Sequence, residues 1–200
     1  MIMAVFEEHL KQIVAHGEPI LLTFDDGGKS AIDTIAPLLD KYRLKGLFFV
    51  PTHFIGQPGF MNEKDIETLH VQGHAIGSHS HTHPTKINRL PEESILKEWT
   101  ESISILRALT GSPITVASVP GGWYSTKVAE VASQVGIKAL YTSKPTSEIY
   151  SESHCNIIGR YAIRATTDKQ NLINLFEDKN FEREKMMWRW RLAEVLKKFY

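Results

Sequence analysis

Two adjacent aspartates and a pair of histidines have the residue types and spacing of a hydrolytic metal site. Asp25 and Asp26 directly follow an apolar stretch that includes residues 20–22, and His79 and His83 follow a second short apolar segment. One aspartate and two histidines can hold a divalent ion with coordination positions left open. The other aspartate is then available as a base toward water. The pattern predicts a metal centre that hydrolyses its substrate.

The aspartate pair has an alternative interpretation as an ordinary surface turn, since Asp and Gly are common in turns. In a regular strand Asp25 and Asp26 would point to opposite faces. The chain must therefore leave the strand for both carboxylates to reach one site, and Gly27 and Gly28 permit the dihedral angles required. The position of the pair after an apolar run, rather than between polar segments, favours a functional role.

The histidines of the run Gly77–Pro84 also allow two interpretations. The four-residue spacing of His79 and His83 predicts a helical turn that presents both on one face, with His81 pointing elsewhere. A solvated, histidine-rich loop is the alternative. His74 precedes the strand, so we interpret it as structural.

Residues after two other predicted strands are candidates for binding a substrate. Glycine amides such as that of Gly121 can approach a substrate closely and donate to a developing oxyanion. Trp123 and Tyr124 would suit the apolar face of a sugar ring, although the segment is equally typical of a simple strand-to-helix turn. His53 also follows a strand and could line the mouth of the pocket.

The composition is that of an ordinary globular protein. The chain has 200 residues, 42% of them hydrophobic and 23% charged, and its formal net charge is zero. Zero net charge argues against nucleic acid as the main partner. The single cysteine, Cys155, excludes an internal disulfide and favours a reducing compartment. The short apolar start and the lack of a run of about 18 apolar residues lead us to expect a cytoplasmic protein.

Strand-like and helix-like segments alternate along the chain, which predicts a parallel sheet, either open or closed into a barrel. No linker or repeat is evident, so we expect one domain over 1–200. The predicted strands are Ile20–Phe24, Gly46–Val50, Ala75–Ser78, Ile114–Ser118, Ala139–Thr142 and Ile157–Ile163. The predicted helices are Ala31–Tyr42, Asn62–Gln72, Pro91–Thr110 and Lys127–Gln134.

In this order the motifs resemble the polysaccharide deacetylases of carbohydrate esterase family four, which share the NodB-homology domain. The segment 23–27 (Thr-Phe-Asp-Asp-Gly) matches the family's first motif, and 79–83 (His-Ser-His-Thr-His) matches the second. The resemblance spans about 20–141. It implies a distorted, incomplete (β/α) barrel of six or seven strands. It also implies metal-dependent removal of an N- or O-acetyl group from a sugar.

The resemblance assigns roles to individual residues. It implies that Asp25 is the general base and that Asp26, His79 and His83 bind the metal. The metal would be Zn²⁺, with Co²⁺, Ni²⁺, Mn²⁺ and Fe²⁺ as alternatives. The amide of Gly121 would help to stabilise the oxyanion.

Two family motifs are altered. The third usually reads Arg-x-Pro-aromatic-Gly, but residues 118–122 read Ser-Val-Pro-Gly-Gly and lack both the arginine and the aromatic residue. In the family that arginine orients the catalytic aspartate. Arg160 or Arg164 could substitute, and we also count Arg160 among the substrate-binding candidates. The Leu-x-His motif that supplies the general acid has no match. His154, His81 and solvent are the alternatives for the proton donor.

These residues favour a deacetylase acting on an acetylated amino sugar or glycan precursor in surface polysaccharide biosynthesis. A metal-dependent amidohydrolase of a non-sugar amide and a non-catalytic carbohydrate-binding module are the alternatives. At the C-terminus, about 181–199, apolar residues recur at helical spacing among basic ones, which predicts an amphipathic helix. Such a helix can contact a membrane surface or a partner, but we expect it to pack onto its own domain.

Overall fold

The computed structural model describes residues 2–176 and 181–197 of the chain. These residues form two compact units. One unit consists of 21–142 and 149–158 and contains the whole sheet. The other is formed by the described parts of 1–20, 143–148 and 159–200. The expectation of a single domain stays a prediction.

The sheet has seven strands in the order β1-β2-β3-β4-β5-β7-β6, and every neighbouring pair is parallel except β6 with β7. Each strand from β2 to β5 lies beside the strand that precedes it in the sequence. Because the connections between parallel strands have the same handedness, the connecting helices lie on one face of the sheet, as in a barrel. β1 and β6 remain edges, which confirms the distorted, incomplete (β/α) barrel. The strands are β1 (Leu22–Phe24), β2 (Gly46–Val50), β3 (Ala75–Ser78), β4 (Val116–Ser118), β5 (Ala139–Tyr141), β6 (Ile149–Glu152) and β7 (Cys155–Ile158).

Seven α-helices are described. The sheet unit contains α2 (Ala36–Lys41), α3 (Glu63–Val71), α4 (Glu92–Thr110) and α5 (Thr126–Gln134). The other unit contains α1 (Ile2–His16), α6 (Lys169–Phe176) and α7 (Phe181–Lys197).

Local chemistry sets the helix ends. The Asn62 side chain accepts the Asp65 amide at 2.9 Å and the Asp65 carboxylate accepts the Asn62 amide at 2.8 Å, which caps α3 as predicted. Gly111 ends α4 in the left-handed conformation, with φ 65°. The predicted helix over 31–42 begins as a π-helical turn, Ala31–Ile35, and Pro37 lies in the first turn of α2. Proline has no amide hydrogen to donate there, which explains the irregular start.

Several predicted strand bounds differ from the structure. β2 and β3 match their predictions, whereas β1, β4 and β5 are shorter. The predicted strand Ile157–Ile163 is wrong in extent, because β7 begins at Cys155 and ends at Ile158. The edge strand β6 has no counterpart among the predictions.

Two aromatic side chains of the sheet meet across a glycine. The rings of Phe49 on β2 and Tyr141 on β5 lie 5.1 Å apart, although two strands separate them in the sheet. Gly77 on β3 makes room for this contact. A Cβ at Gly77 would lie 2.6 Å from the Phe49 ring and 3.0 Å from the Val116 carbonyl oxygen. The sheet is therefore curled tightly enough for β2 and β5 side chains to touch.

His74 lies in the sheet unit as a buried, structural residue, in line with its interpretation from sequence. Its Nδ1 accepts the amide of Gly46 at 3.1 Å, and its ring meets Phe48 edge-on at 5.4 Å. Burial, followed by the charge of Lys45, lowers the pKa of His74, and Asp40 opposes this. His74 is therefore neutral in the folded protein near pH 7.

We expect His74 to make the metal-free protein sensitive to mild acid. Its folded pKa is below the 6.5 of an exposed imidazole. The unfolded chain therefore binds the proton more readily, and stability falls as pH drops below about 6.5. In urea unfolding at pH 7.5 and 5.5 with a chelator present, His74→Asn should lose less stability between the two pH values than wild type. Asparagine keeps an acceptor for the Gly46 amide, and His53→Asn, at an exposed position, should behave like wild type. Equal losses in all three proteins would contradict this assignment.

The predicted C-terminal helix is present as α7, and Phe199 of the predicted stripe lies outside the described residues. Phe181, Trp188, Leu192 and Val195 are all exposed. Among the described residues of this stripe, the expected packing onto the chain's own domain is therefore not found. None of the described helices has the length and apolarity needed to cross a bilayer.

Candidate metal centre

Asp26, His79 and His83 converge on one point at the carboxyl edge of the sheet. Asp26 follows β1, and both histidines follow β3. One donor atom from each residue lies within 4.8 Å of the others. Asp26 Oδ1 is 3.4 Å from His79 Nε2 and 3.5 Å from His83 Nε2. The fold therefore brings together three groups that are up to 57 positions apart, from Asp26 to His83.

The three donors fit a divalent ion. Two ligand atoms at zinc distances on a tetrahedral ion are about 3.4 Å apart, which is the separation seen between the carboxylate oxygen and each imidazole nitrogen. His83 Nε2 is buried and has no hydrogen-bond partner among the described residues. A buried polar atom without a partner is costly, and a metal ion would satisfy it.

The electrostatics of the cluster favour positive charge. Contacts with His79 and then His83 hold the pKa of the Asp26 carboxyl well below its usual range. The Asp26 carboxylate in turn raises the pKa of His83. A cation placed where the three donor atoms meet would be stabilised by the same carboxylate.

The backbone around these ligands is irregular, and the predicted helical turn over 79–83 is wrong. Ser80 and His83 have φ of 62° and 55°, and Asp26 has φ of 71°. These left-handed conformations are costly for residues other than glycine and cluster at functional sites. They allow the chain to leave β1 and β3 sharply enough to turn the side chains toward one point. Gly27, with φ of 63°, continues the turn after Asp26.

His79 is oriented by a backbone carbonyl. Its Nδ1 donates to the Ser118 carbonyl oxygen at 2.9 Å, and the ring is almost completely buried. A carbonyl only accepts, so Nδ1 carries a proton, and Nε2 is the ring nitrogen that faces Asp26. This is the usual arrangement of a metal-binding histidine.

Asp25 lies beside the three donors. Its Oδ2 is 3.9 Å from His79 Nε2 and accepts the Ser118 hydroxyl at 3.2 Å. The Asp25 side chain is 28% exposed, so solvent can reach it. Asp25 is thus close to the site while Asp26 supplies the carboxylate of the cluster.

Glu98 on α4 anchors the loop between His79 and His83, the two candidate histidine ligands. Its Oε2 accepts the amides of His81 and Thr82 at 2.9 and 2.8 Å. The His81 ring is held by Thr52 Oγ1 at 2.8 Å and lies 3.5 Å from a Glu101 oxygen. His81 therefore points away from the ligands, as predicted. No sequence signal marks Glu98, which is 15 residues beyond His83 on a helix.

We expect Glu98→Ala to weaken zinc binding about ten- to hundredfold, which is typical when a partner that orients metal ligands is removed. The loop between His79 and His83 would lose its anchor while both ligands remain. Competition with a chromophoric chelator measures the affinity. Glu93→Ala, at an exposed position on α4, should bind zinc like wild type. Unchanged affinity in Glu98→Ala would show that the loop holds its shape alone.

Other predicted residues lie at the same edge of the sheet. Gly121, with φ of 56°, is in the turn Pro120–Gly122 that follows β4. The Trp123 ring has the cations of Lys86 and Arg89 at 5.7 and 5.5 Å from its centre. His53 follows β2, and its ring is 5.6 Å from that of His81.

The positions of Tyr124 and Arg160 relate less directly to the three donor residues. Tyr124 is partly buried, and burial together with a hydrogen bond to Tyr150 raises its pKa, so its hydroxyl stays protonated. Arg160 belongs to the unit without the sheet. Substrate binding by Tyr124 and Arg160 stays a prediction.

His154 is on the opposite side of the sheet unit from the donors. It lies in the turn between β6 and β7, directly before β7 begins at Cys155. β7 runs parallel to β5, so this turn is at the amino edge of the parallel strands, whereas Asp25 and His79 follow the carboxyl edge. This geometry argues against the expected role of His154 as a proton donor.

Comparisons with known proteins show which proteins this chain resembles. The family model described as polysaccharide deacetylase matches residues 13–140. A putative polysaccharide deacetylase, YxkH, from Bacillus subtilis is 26% identical over 126 residues, covering 63% of this chain and 45% of the relative. The peptidoglycan-N-acetylglucosamine deacetylase PgdA of Listeria monocytogenes is 27% identical over 154 residues, covering 74% of this chain and 30% of the relative. The chain thus spans less than half the length of these relatives.

Solved structures show the same fold. The Streptococcus pyogenes deacetylase PplD, determined with acetate, has a TM-score of 0.75 and 19% identity, and the match covers 88% of this chain and 87% of PplD. A polysaccharide deacetylase from Bacillus cereus has a TM-score of 0.79 and 20% identity, with 88% and 61% covered. At these identities the likeness concerns the fold.

Proposed function

The chain belongs to the polysaccharide deacetylase family, and we propose that it is a metal-dependent hydrolase that removes the acetyl group of an N-acetylated sugar. One observation carries the proposal. Asp26, His79 and His83 present donor atoms within 4.8 Å of one another, and Asp25 stands beside them. The bond cleaved would be a carbon–nitrogen bond outside a peptide.

Different residues would bind the ion and transfer the proton. Asp26, His79 and His83 would hold the ion. When bound, it supplies Lewis acidity toward water and toward a carbonyl oxygen. Asp25 would accept the proton of the attacking water, since a carboxylate beside the site can act as a general base. The amide of Gly121, in the turn after β4, would donate to the oxyanion.

Hydrolysis of the acetamide also needs a proton for the departing amine. Water adds to the carbonyl carbon, the carbon–nitrogen bond breaks, and acetate and the amine are released. The proton accepted by Asp25 is available for the amine, and solvent is the other source. His154 is not needed in this scheme, which agrees with its position at the opposite edge of the sheet.

The named relatives support an amino-sugar substrate. PgdA is described as a deacetylase of N-acetylglucosamine in peptidoglycan, and PdaA of Bacillus subtilis as one of N-acetylmuramic acid. We therefore propose an acetylated amino sugar or a glycan precursor as the substrate. A place in surface polysaccharide biosynthesis, a cytoplasmic location and membrane or partner contact through α7 stay predictions.

Acetate release from N-acetylglucosamine oligomers by the zinc-loaded protein tests the proposal. Acetate and free amine should appear in equal amounts and should disappear when a chelator removes the ion. Turnover of cyclic non-sugar amides instead of sugars would replace the proposal with an amidohydrolase. Tight oligomer binding without acetate release would indicate a carbohydrate-binding module.

A further inference from the structure

Ser118 contacts both the candidate base and a candidate metal ligand. It is the last residue of β4 and is fully buried. Its hydroxyl donates to Asp25 Oδ2 at 3.2 Å, and its carbonyl oxygen accepts from His79 Nδ1 at 2.9 Å. Ser118 therefore contacts residues that directly follow two other strands, β1 and β3.

The contact with Asp25 depends on the curl of the sheet. β1 and β4 are separated by β2 and β3, so neighbouring-strand pairing cannot bring Asp25 and Ser118 together. They are 93 positions apart in the sequence. A buried hydroxyl needs a hydrogen-bond partner, and a carboxylate is a strong acceptor. The hydrogen bond thus restricts the rotation of a carboxylate that is otherwise part of a partly exposed turn.

The two contacts use different parts of Ser118. The backbone carbonyl fixes which His79 nitrogen carries the proton, and it would do so whatever the side chain. The contact with Asp25 is made by the hydroxyl. A substitution that removes only the hydroxyl therefore separates the two effects.

We propose that Ser118 is the positioning residue for Asp25, holding the carboxylate toward the metal centre through its hydroxyl. By the resemblance, Ser118 stands at the position of the motif arginine, so a short neutral donor replaces a long cationic one. The hydroxyl adds no charge, and its effect is on orientation. The consequence for turnover rests on the proposed function, whereas the orientation of Asp25 does not.

The orientation of the Asp25 carboxylate can be tested in the metal-free protein, in an experiment that does not require turnover. With aspartate labelled by ¹³C, the Asp25 carboxyl resonance is assigned by its loss in Asp25→Asn. We expect Ser118→Ala to shift this resonance and Ser118→Thr, which keeps a hydroxyl, to leave it close to wild type. Ser102→Ala is the matched control, because Ser102 is also fully buried and its hydroxyl bonds to Ser78 at 2.7 Å. An unchanged resonance in Ser118→Ala would overturn the proposal.

The kinetic arm uses the zinc-loaded protein and acetate release. Ser118→Ala should lower kcat about ten- to hundredfold with little change in KM, and Ser118→Thr should recover most of the loss. Zinc affinity should be unchanged in Ser118→Ala, because the carbonyl that orients His79 remains. A loss confined to zinc affinity or to thermal stability would assign Ser118 a merely structural role.

The resonance measurement and the kinetic measurement together distinguish failure of this proposal from failure of the proposed function. If wild type releases no acetate, the deacetylase proposal fails, and the Asp25 resonance still decides the role of Ser118. If wild type is active and Ser118→Ala keeps full kcat, the positioning role is wrong while the deacetylase stands. If Ser118→Ala does not fold, Ser118→Cys, which keeps the volume with a weaker donor, is measured in its place.

Discussion

Asparagine in place of Asp25 is expected to reduce kcat for deacetylation by about 10²- to 10⁴-fold, the range that a general base contributes. Asparagine has the shape of aspartate and its carbonyl oxygen can still accept the Ser118 hydroxyl, but it cannot take a proton from water. Zinc affinity should stay close to that of wild type, because the three donors are supplied by Asp26, His79 and His83. Acetate release and a chelator competition measure the two quantities.

Asp33→Asn is the matched control, since Asp33 is an exposed aspartate of the same unit, 59% accessible, whose Oδ1 lies 4.0 Å from Lys29 Nζ. It should retain wild-type kcat. Two results would contradict the assignment of Asp25. One is turnover in Asp25→Asn within a few fold of wild type, and the other is a parallel loss of zinc affinity, which would make Asp25 a ligand.

The elements that position the site could be predicted from sequence because they depend on short-range patterns. β2 and β3 are short apolar runs, the first followed by Pro51 and the second ending at Ser78, and their predicted bounds are those observed. The start of α3 at Asn62 and the end of α4 at Gly111 follow from capping chemistry that is local to each helix end. Since parallel strands end at a common edge, residues that follow them are brought together by the topology itself.

Elements with weaker patterns were not predictable in this way. β6 pairs antiparallel at the edge of the sheet, and most of its residues are exposed, so it lacks the apolar run of a buried strand. The spacing of His79 and His83 is compatible with a helical turn. The structure has a loop because Ser80 and His83 take left-handed conformations, which depend on tertiary contacts.

The contacts that support the ligands could not be read from sequence. Ser118 and Asp25 are 93 positions apart, and Glu98 reaches the His81 amide from another element. No spacing pattern in the sequence links the two residues of either pair. From the sequence, residue 118 is notable only because it is not the arginine of the family motif. In the structure, its buried hydroxyl donates a hydrogen bond to Asp25. The altered motif therefore keeps a hydrogen-bond donor for the candidate base.

Removing the Asp26 carboxylate is expected to abolish zinc-dependent stabilisation of the protein. Asp26 Oδ1 is the atom that lies within 3.5 Å of both imidazole nitrogens, so its loss leaves only two imidazoles of the three donors. For wild type, zinc at a thousandfold excess over Kd should stabilise the folded state by about 4 kcal/mol. Asp26→Ala should show little or no such gain, and its acetate release should fall to background.

Thermal unfolding across a zinc titration measures this stabilisation. Asp26→Asn, which keeps the size of the side chain and removes only its charge, should also fail to respond to zinc. His154→Ala removes an exposed histidine at the amino edge of the sheet and should respond like wild type. If Asp26→Asn gains as much stability from zinc as wild type does, the ion is held elsewhere. The convergence of Asp26, His79 and His83 would then be an ion-pair cluster without a metal.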